Sequence, residues 1–305
     1  MATSPIAITA RVNQLDRRFS RIFDNTLKEL PQMRDRLYTV QQARKGADEK
    51  FGLVGEMGNL VPFDGQITYD AASEGYNVTA THKEYSSGMQ VTRTMRDYDL
   101  TGQMDREPSK LARATERTLE EFGARIWTMA FSNDNLFYSH SEGVPLCSNS
   151  HTTTSGASTA TGFDNLGTAA LSAVAVAANR IQMKGFRGDH GQRISVTPTQ
   201  IWHPPALYET AFEIVSSMGK VETADNNRNV HNGRYALHEW EYMSNDSDWF
   251  MLDGDAKKDN VYWFNSAGPE FANTGEFDTL IWKWRVYVRF SYMWLDWRWV
   301  MGNDV

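Results

Sequence analysis

The sequence predicts an α+β fold closed by one long C-terminal strand, and three observations carry that prediction. Trp282, Trp284, Val286, Val288, Phe290, Tyr292 and Trp294 occupy every second position, with Lys283, Arg285, Tyr287, Arg289 and Ser291 between them, which is the period of a strand buried on one face. Residues 107–131 carry the opposite signal, a stripe of Leu111, Thr115, Leu119, Phe122, Ile126 and Ala130 at helical spacing. Between these two lie helix and strand patterns with no clean βαβ alternation, which favours α+β over α/β.

Composition narrows the class further. The 305 residues are 41% hydrophobic and 23% charged, inside the globular range. A net charge of −7 is the wrong sign for a dedicated nucleic-acid binder. Cys147 is the single cysteine, so no internal disulfide can hold the fold together. The opening MATSPIAITARVNQLDRRF lacks the apolar run of a signal peptide, and no later stretch approaches a membrane span. Assembly in a cytosol is the expectation. Ten tryptophans and twelve tyrosines exceed what a minimal core needs and fit a large core or an extensive interface.

Taken in order, residues 8–30 predict an amphipathic helix from Leu15, Phe19, Ile22, Phe23, Leu27 and Leu30, stopped by Pro31. Its polar face carries Arg11, Arg17, Arg18 and Arg21, either as a solvated surface or as a contact for nucleic acid. From Phe51 to Met95 the period becomes two. Tyr76, Val78, Ala80 and His82 alternate with polar residues, and so do Met89, Val91 and Met95, with Arg93 breaking the face. The polar run Glu84–Gly88 between them predicts the turn of a hairpin. Such a two-stranded hairpin is marginal alone, so it must lie on its own domain or on a neighbouring subunit. With the neighbour as the expected cover, Tyr76, Val78, Lys83, Tyr85, Met89, Val91 and Arg93 are the candidate subunit-interface residues.

Glu107-Pro108-Ser109 then opens the long helix to about Phe131, which at 1.5 Å per residue spans about 36 Å. Residues 133–165 read as a polar surface stretch, and Ser150–Thr161 as a loop tolerant of change. An Ala-rich helix is expected over 165–184, a strand over Ile194–Thr197, a helix from Pro204-Pro205 to Ser217, and short strands near Tyr235–Glu239, Trp249–Leu252 and Val261–Phe264. The final run 282–294 spans about 44 Å at 3.4 Å per residue. Burying its seven large side chains contributes about 10–20 kcal/mol as an upper bound.

Certain local phrases stand out: Gly75-Tyr76 through His82-Lys83-Glu84-Tyr85, Val91-Thr92-Arg93-Thr94-Met95-Arg96-Asp97, Thr223-Ala224-Asp225-Asn226-Asn227-Arg228-Asn229, and Trp294-Leu295-Asp296-Trp297-Arg298-Trp299. With the order of elements, they resemble the major head proteins of tailed bacteriophages with the Hong Kong 97-type capsid fold, Mu-like relatives included. That resemblance implies an N-terminal arm at 1–50, an extended loop hairpin at 51–97, and a peripheral domain with spine helix and surface loop at 98–165. It further implies an axial domain at 166–276 and a strand returning to the peripheral domain at 277–305. It implies a structural protein of the virion capsid, not an enzyme, made in the host cytoplasm. Copies would assemble as hexamers and pentamers around double-stranded DNA held without sequence-specific binding. Separate scaffold, protease and portal proteins are implied as partners. Many relatives carry a long charged scaffolding segment, whereas here a short N-terminal helix leads directly into the hairpin, which implies either a separate scaffold or a chain already in its mature form. Some relatives cross-link an extended-loop lysine to a neighbour. Lys83 is the lysine nearest the turn, with no identifiable partner. An encapsulin-type compartment shell is the alternative within the same fold.

Chemistry-bearing patterns are thin. His238-Glu239-Trp240-Glu241-Tyr242 lacks the second histidine of a zinc-protease helix. Cys147 and His151 have no orienting third group, Gly185, Gly188 and Gly191 follow a helix where a dinucleotide motif follows a strand, and Asp253-Gly254-Asp255 lacks calcium-loop spacing. No catalytic residue, cofactor or metal is therefore expected, and no membrane partner. A tryptophan-rich carbohydrate-binding or hydrolase domain is the rival from another class, and it requires exposed aromatic rings beside paired carboxylates.

Overall fold

A computed structural model describes residues 5–44, 46–63, 65–67, 69, 74–98, 102–155, 162–219, 228–276 and 280–305. Its side chains are described from residue 15 onward, except those of 96, 97, 103 and 276. The chain opens with α1 (Pro5–Glu29) and a single turn, α2 (Arg34–Leu37). Four strands follow: β1 (Thr39–Gln42), β2 (Asp48–Val54), β3 (Glu74–Thr81) and β4 (Lys83–Thr92). Next come the short α3 (Arg93–Asp97), the long α4 (Arg106–Thr128), β5 (Tyr138–His140), β6 (Leu166–Gly167) and α5 (Ala173–Met183). The remainder is β7 (Gln200–His203), α6 (Tyr208–Ser216), β8 (Ala236–Glu239), β9 (Trp249–Leu252), β10 (Val261–Glu276), β11 (Ile281–Trp294) and β12 (Val300–Asn303).

These strands form three sheets: β1-β10-β11-β4, β6-β12-β9-β7-β8, and β2-β3-β5. The predicted C-terminal strand is the spine of the first. Trp284, Val286, Val288, Phe290, Tyr292 and Trp294 are all buried, as the alternation requires. The long helix α4 packs Phe122 against Phe290, with ring centroids 5.8 Å apart. Trp284 lies elsewhere than beneath α4: it meets Phe19 of α1 edge-on at 5.0 Å, in a small cluster with Val91 and Met104. Near its end β11 is buried on both faces, because Ser291 and Met293 are also covered.

The expected hairpin between residues 76–82 and 89–95 does not form. β3 pairs antiparallel with β2, from Asp48↔Thr81 to Val54↔Glu74, and on its other edge with β5. β4 instead runs straight through the supposed turn at Glu84–Gly88 and pairs with β11 from Phe290↔Lys83 to Ile281↔Thr92. Alternation marks a strand and its covered face, but not which edge it will take, and β11 offers an edge long enough for all of β4.

Other boundaries moved for local reasons. The Ala-rich helix starts late because Ser172 caps it, its Oγ accepting from Ala175 N–H at 3.2 Å, while residues 166–167 pair with β12. Thr197 N–H donates to the Asp253 carboxylate, not to a ladder, so 194–197 is extended without being a strand. β10 runs far past Phe264 because β11 pairs with it across two register shifts between Asn265 and Glu270. That interruption, around Pro269, hid its second half from the periodicity. Residues 156–161 of the Ser150–Thr161 stretch and 223–227 of the Thr223–Asn229 run lie outside the described residues.

Candidate assembly surface

β2 and β3 form an arm. Its base is fixed where β5 completes a three-stranded patch and where Val78 and Ala80 are fully buried. Phe51 stacks on Tyr262 at 5.9 Å, tying the arm to β10. Beyond Val54 the burial ends while the apolar character persists. Val54, Met57, Val61, Phe63 and Ile67 are exposed, Leu60 is 100% exposed and Tyr69 87%. A monomeric soluble protein rarely exposes so many large apolar side chains within one short segment, which makes this segment a candidate interaction site.

The residues expected at an interface are scattered by the true strand pairing. Val78 and Val91 are buried within the chain's own core and have no surface to offer a neighbour, so they are withdrawn. Tyr85 is half-buried and stacks on Phe290 at 5.3 Å. Met89 is half-buried beside the Trp284 cluster. Arg93 opens α3, its N–H bonded to the Leu280 carbonyl at 3.1 Å. Tyr76 stays on the arm, with its hydroxyl 2.5 Å from Thr152 Oγ1. Lys83 begins β4, beyond the arm, and residues 54–73 contain no lysine. The lysine suggested for cross-linking is therefore not on the protruding segment. The signal available in the sequence was the run Val54–Tyr69 itself, apolar yet without period.

His82 is the single residue between β3 and β4, where the chain leaves one sheet for another. Its Nδ1 lies 2.8 Å from Ser291 Oγ, and its buried Nε2 has no hydrogen-bond partner. Burial, reinforced by Arg289, lowers its pKa, while Glu49 and Asp48 pull the other way.

The chain from Glu142 to His151 is irregular, as a loop is, but the side chains of Glu142, Leu146, Cys147, Ser148 and His151 are buried where a surface stretch was expected. His151 is buried, stacks on Trp297 at 4.4 Å, and places Nδ1 3.1 Å from Glu142 Oε1. Burial alone would raise the Glu142 pKa. The His151 contact and the Thr152 N–H outweigh it and hold the carboxylate below its ordinary value. His140 is shifted down, first by burial, and its Nε2 lies 2.9 Å from the Leu295 carbonyl oxygen. On α4, Glu116 and Glu120 are buried around Arg34. Glu120 accepts from Arg34 N–H at 3.2 Å, and Glu116 sits 3.9 Å from the guanidinium. Burial raises Glu116 to about 7, with Arg34 opposing.

None of these groups is arranged for nucleophilic chemistry. Cys147 is buried and its thiol is pushed up by burial, while both nitrogens of His151 are engaged with Glu142, Leu146 and Asn165. Among the described residues no group of three His, Cys, Asp or Glu side chains could hold a metal, and no helix is long and apolar enough to cross a membrane. Nine of the ten tryptophans are buried, leaving only Trp282 partly covered. The tryptophans therefore form no exposed ring platform of the kind a tryptophan-rich carbohydrate-binding domain needs.

Comparison with known proteins gives a consistent picture. Residues 75–301 match the family described as phage capsid protein. Among solved structures, the procapsid of bacteriophage JBD30 is similar at 15% identity and a TM-score of 0.52, covering 99% of this chain and 76% of that one. The capsid of Ralstonia phage GP4 is similar at 9% identity and a TM-score of 0.56, covering 88% and 87%. The capsid of an empty GTA particle is similar at 9% identity and a TM-score of 0.55, covering 90% and 92%. No curated protein matches.

Proposed function

The chain belongs to the phage capsid protein family, and on that premise we propose that it is the major capsid subunit of a tailed phage, assembling with copies of itself into an icosahedral head shell. The fold is of the Hong Kong 97 type. The observation that carries the proposal is the arm tip. Seven large apolar side chains between Val54 and Tyr69 are exposed in the isolated subunit and need a partner surface. A contact between unlike surfaces of identical chains generates rings when the rotation closes, which suits hexamers and pentamers. In this reading the extended loop is residues 48–81, α1 is the helix of the N-terminal arm that precedes it, α4 is the spine, and the sheet containing β7–β9 belongs to the axial domain. Tyr76, Lys83, Tyr85, Met89 and Arg93 flank the contact and do not form its centre.

The remaining partners follow from the same role. Packaged double-stranded DNA would be confined without sequence-specific binding, for which a net charge of −7 is suited because it does not grip phosphates. Separate scaffold, protease and portal proteins would complete the head in the host cytoplasm. The test is assembly of the purified protein, followed by electron microscopy and sedimentation. Wild type should form closed shells, and Leu60→Asp should stay as small species while melting at the wild-type temperature. Shell formation by Leu60→Asp at wild-type yield would refute the role given to the tip.

A further inference from the structure

The arm is fastened at the end of its β2-β3 ladder, away from its base, to a distant turn of the same chain, and we propose that this fastening is a latch that sets the arm's direction before subunits meet. The inference rests on the arm reading above. The turn is residues 186–193, closed by an antiparallel bridge between Arg187 and Arg193. It contains two of the three glycines that stand out in the sequence and that neither fold nor assembly surface has so far explained.

Just past the end of β2, Glu56 makes three bonds to this turn. Its N–H donates to Asp189 Oδ2 at 3.1 Å, His190 Nε2 lies 2.8 Å from its carbonyl oxygen, and Gln192 Nε2 donates to its Oε2 at 2.9 Å. The returning strand is held as well: Thr154 Oγ1 donates to the Glu74 carbonyl at 2.7 Å, and the Ser155 hydroxyl donates to the Asp189 carbonyl. Behind the turn, Arg298 locks the other Asp189 oxygen at 2.9 Å and donates to the Arg187 carbonyl at 2.8 Å. Asp189 thus carries the arm on one oxygen and the body of the subunit on the other.

Gly188 supplies the seat. A Cβ built there would lie 1.9 Å from Glu56 Oε2 and 2.6 Å from Gln192 Nε2, so the Glu56 carboxylate occupies the volume that any other residue would fill. The Gly188 backbone is not in the left-handed region. Glycine is therefore required by the latch and not by the torsion, which makes alanine a selective probe. A free two-stranded arm would sample many directions, and docking its tip would carry the entropy cost of choosing one. A latch removes that cost beforehand.

The test compares wild type, Gly188→Ala, Glu56→Ala and the double variant by hydrogen exchange at residues 48–56 and 74–81 of unassembled subunits. Each single change should speed exchange there by about tenfold, as expected for losing one or two hydrogen bonds, with the melting temperature held. The two effects should be far from additive in the double variant, because the Glu56 carboxylate is the nearest group that Gly188→Ala displaces. Shell yield should fall in all three. Unchanged exchange in Gly188→Ala, or effects that add in the double variant, would overturn the latch. Exchange is read on free subunits, so a failure of the wild type to assemble would count against the tip and not against the latch.

Discussion

The C-terminal strand and the arm tip are both runs of large apolar residues, and they end in opposite places. Along β11 the apolar residues fall on every second position, and all but the partly covered Trp282 are buried, with Trp284 against α1, Phe290 against α4 and Tyr292 against β5. In Val54–Tyr69 they fall without period, among glycines, Pro62 and polar residues, and they stay in solvent. Burial inside a chain requires that apolar side chains share a face as well as a chemistry. An apolar run that shares no face in its own fold is left available for another molecule.

The comparison is most easily broken at Trp284. Trp284→Ala should cost about 3–5 kcal/mol through the cavity it opens against Phe19 and Val91, a large part of the stability of a domain. Arg285→Ala, on the exposed face one residue along, should fall within about 0.5 kcal/mol of wild type. Equal shifts in thermal unfolding would mean that alternation does not define the covered face.

A smaller effect sharpens the contrast with a polar group. Glu116 lies in the buried region, and its pKa stands at about 7 because burial disfavours the charged form. Unfolded, it would ionise near its ordinary value of 4.5. Between these values the folded state holds the proton that the unfolded state has released, so stability falls as pH rises through this window. Glu116→Gln should therefore match wild type below pH 4.5 and exceed it by about 1–3 kcal/mol at pH 8. A denaturant titration at both pH values checks the sign, and a stability difference independent of pH would exclude ionisation as its cause.

The smallest effect belongs to the tip. Leu60→Ala should change unfolding of the free subunit by less than about 0.5 kcal/mol, since a fully exposed side chain has no burial to lose. Its consequence should appear only in the yield of shells.

Much of the architecture was legible because it depends on period alone. The helix at α4 and the buried face of β11 were read from spacing, and both stand within a few residues of where the spacing put them. Pairing was not legible. Nothing in residues 76–95 distinguishes a local hairpin from two strands that part at His82, because both carry the same alternation. The polar stretch after Asn133 misled in another way. His151 looked like a loop residue because its partners Glu142, Asn165 and Trp297 are not its sequence neighbours in any periodic sense. An extended hairpin was expected over residues 51–97 with its turn at Glu84–Gly88, whereas the ladder forms between β2 and β3, and the exposed apolar run Val54–Tyr69 was not among the residues expected at an interface.

Strand order in two of the sheets has a consequence for how the protein is made. β11 lies between β10 and β4, and β12 lies between β6 and β9. Each is synthesised after both of its partners, so while translation proceeds the partners expose unpaired inner edges with a gap where the central strand will go. Folding of these sheets must wait until residues 281–303 have emerged, which makes the nascent chain a natural client for chaperones. Until the last strands are threaded in, the body that holds the arm through Tyr262 of β10 and through Arg298 is unfinished.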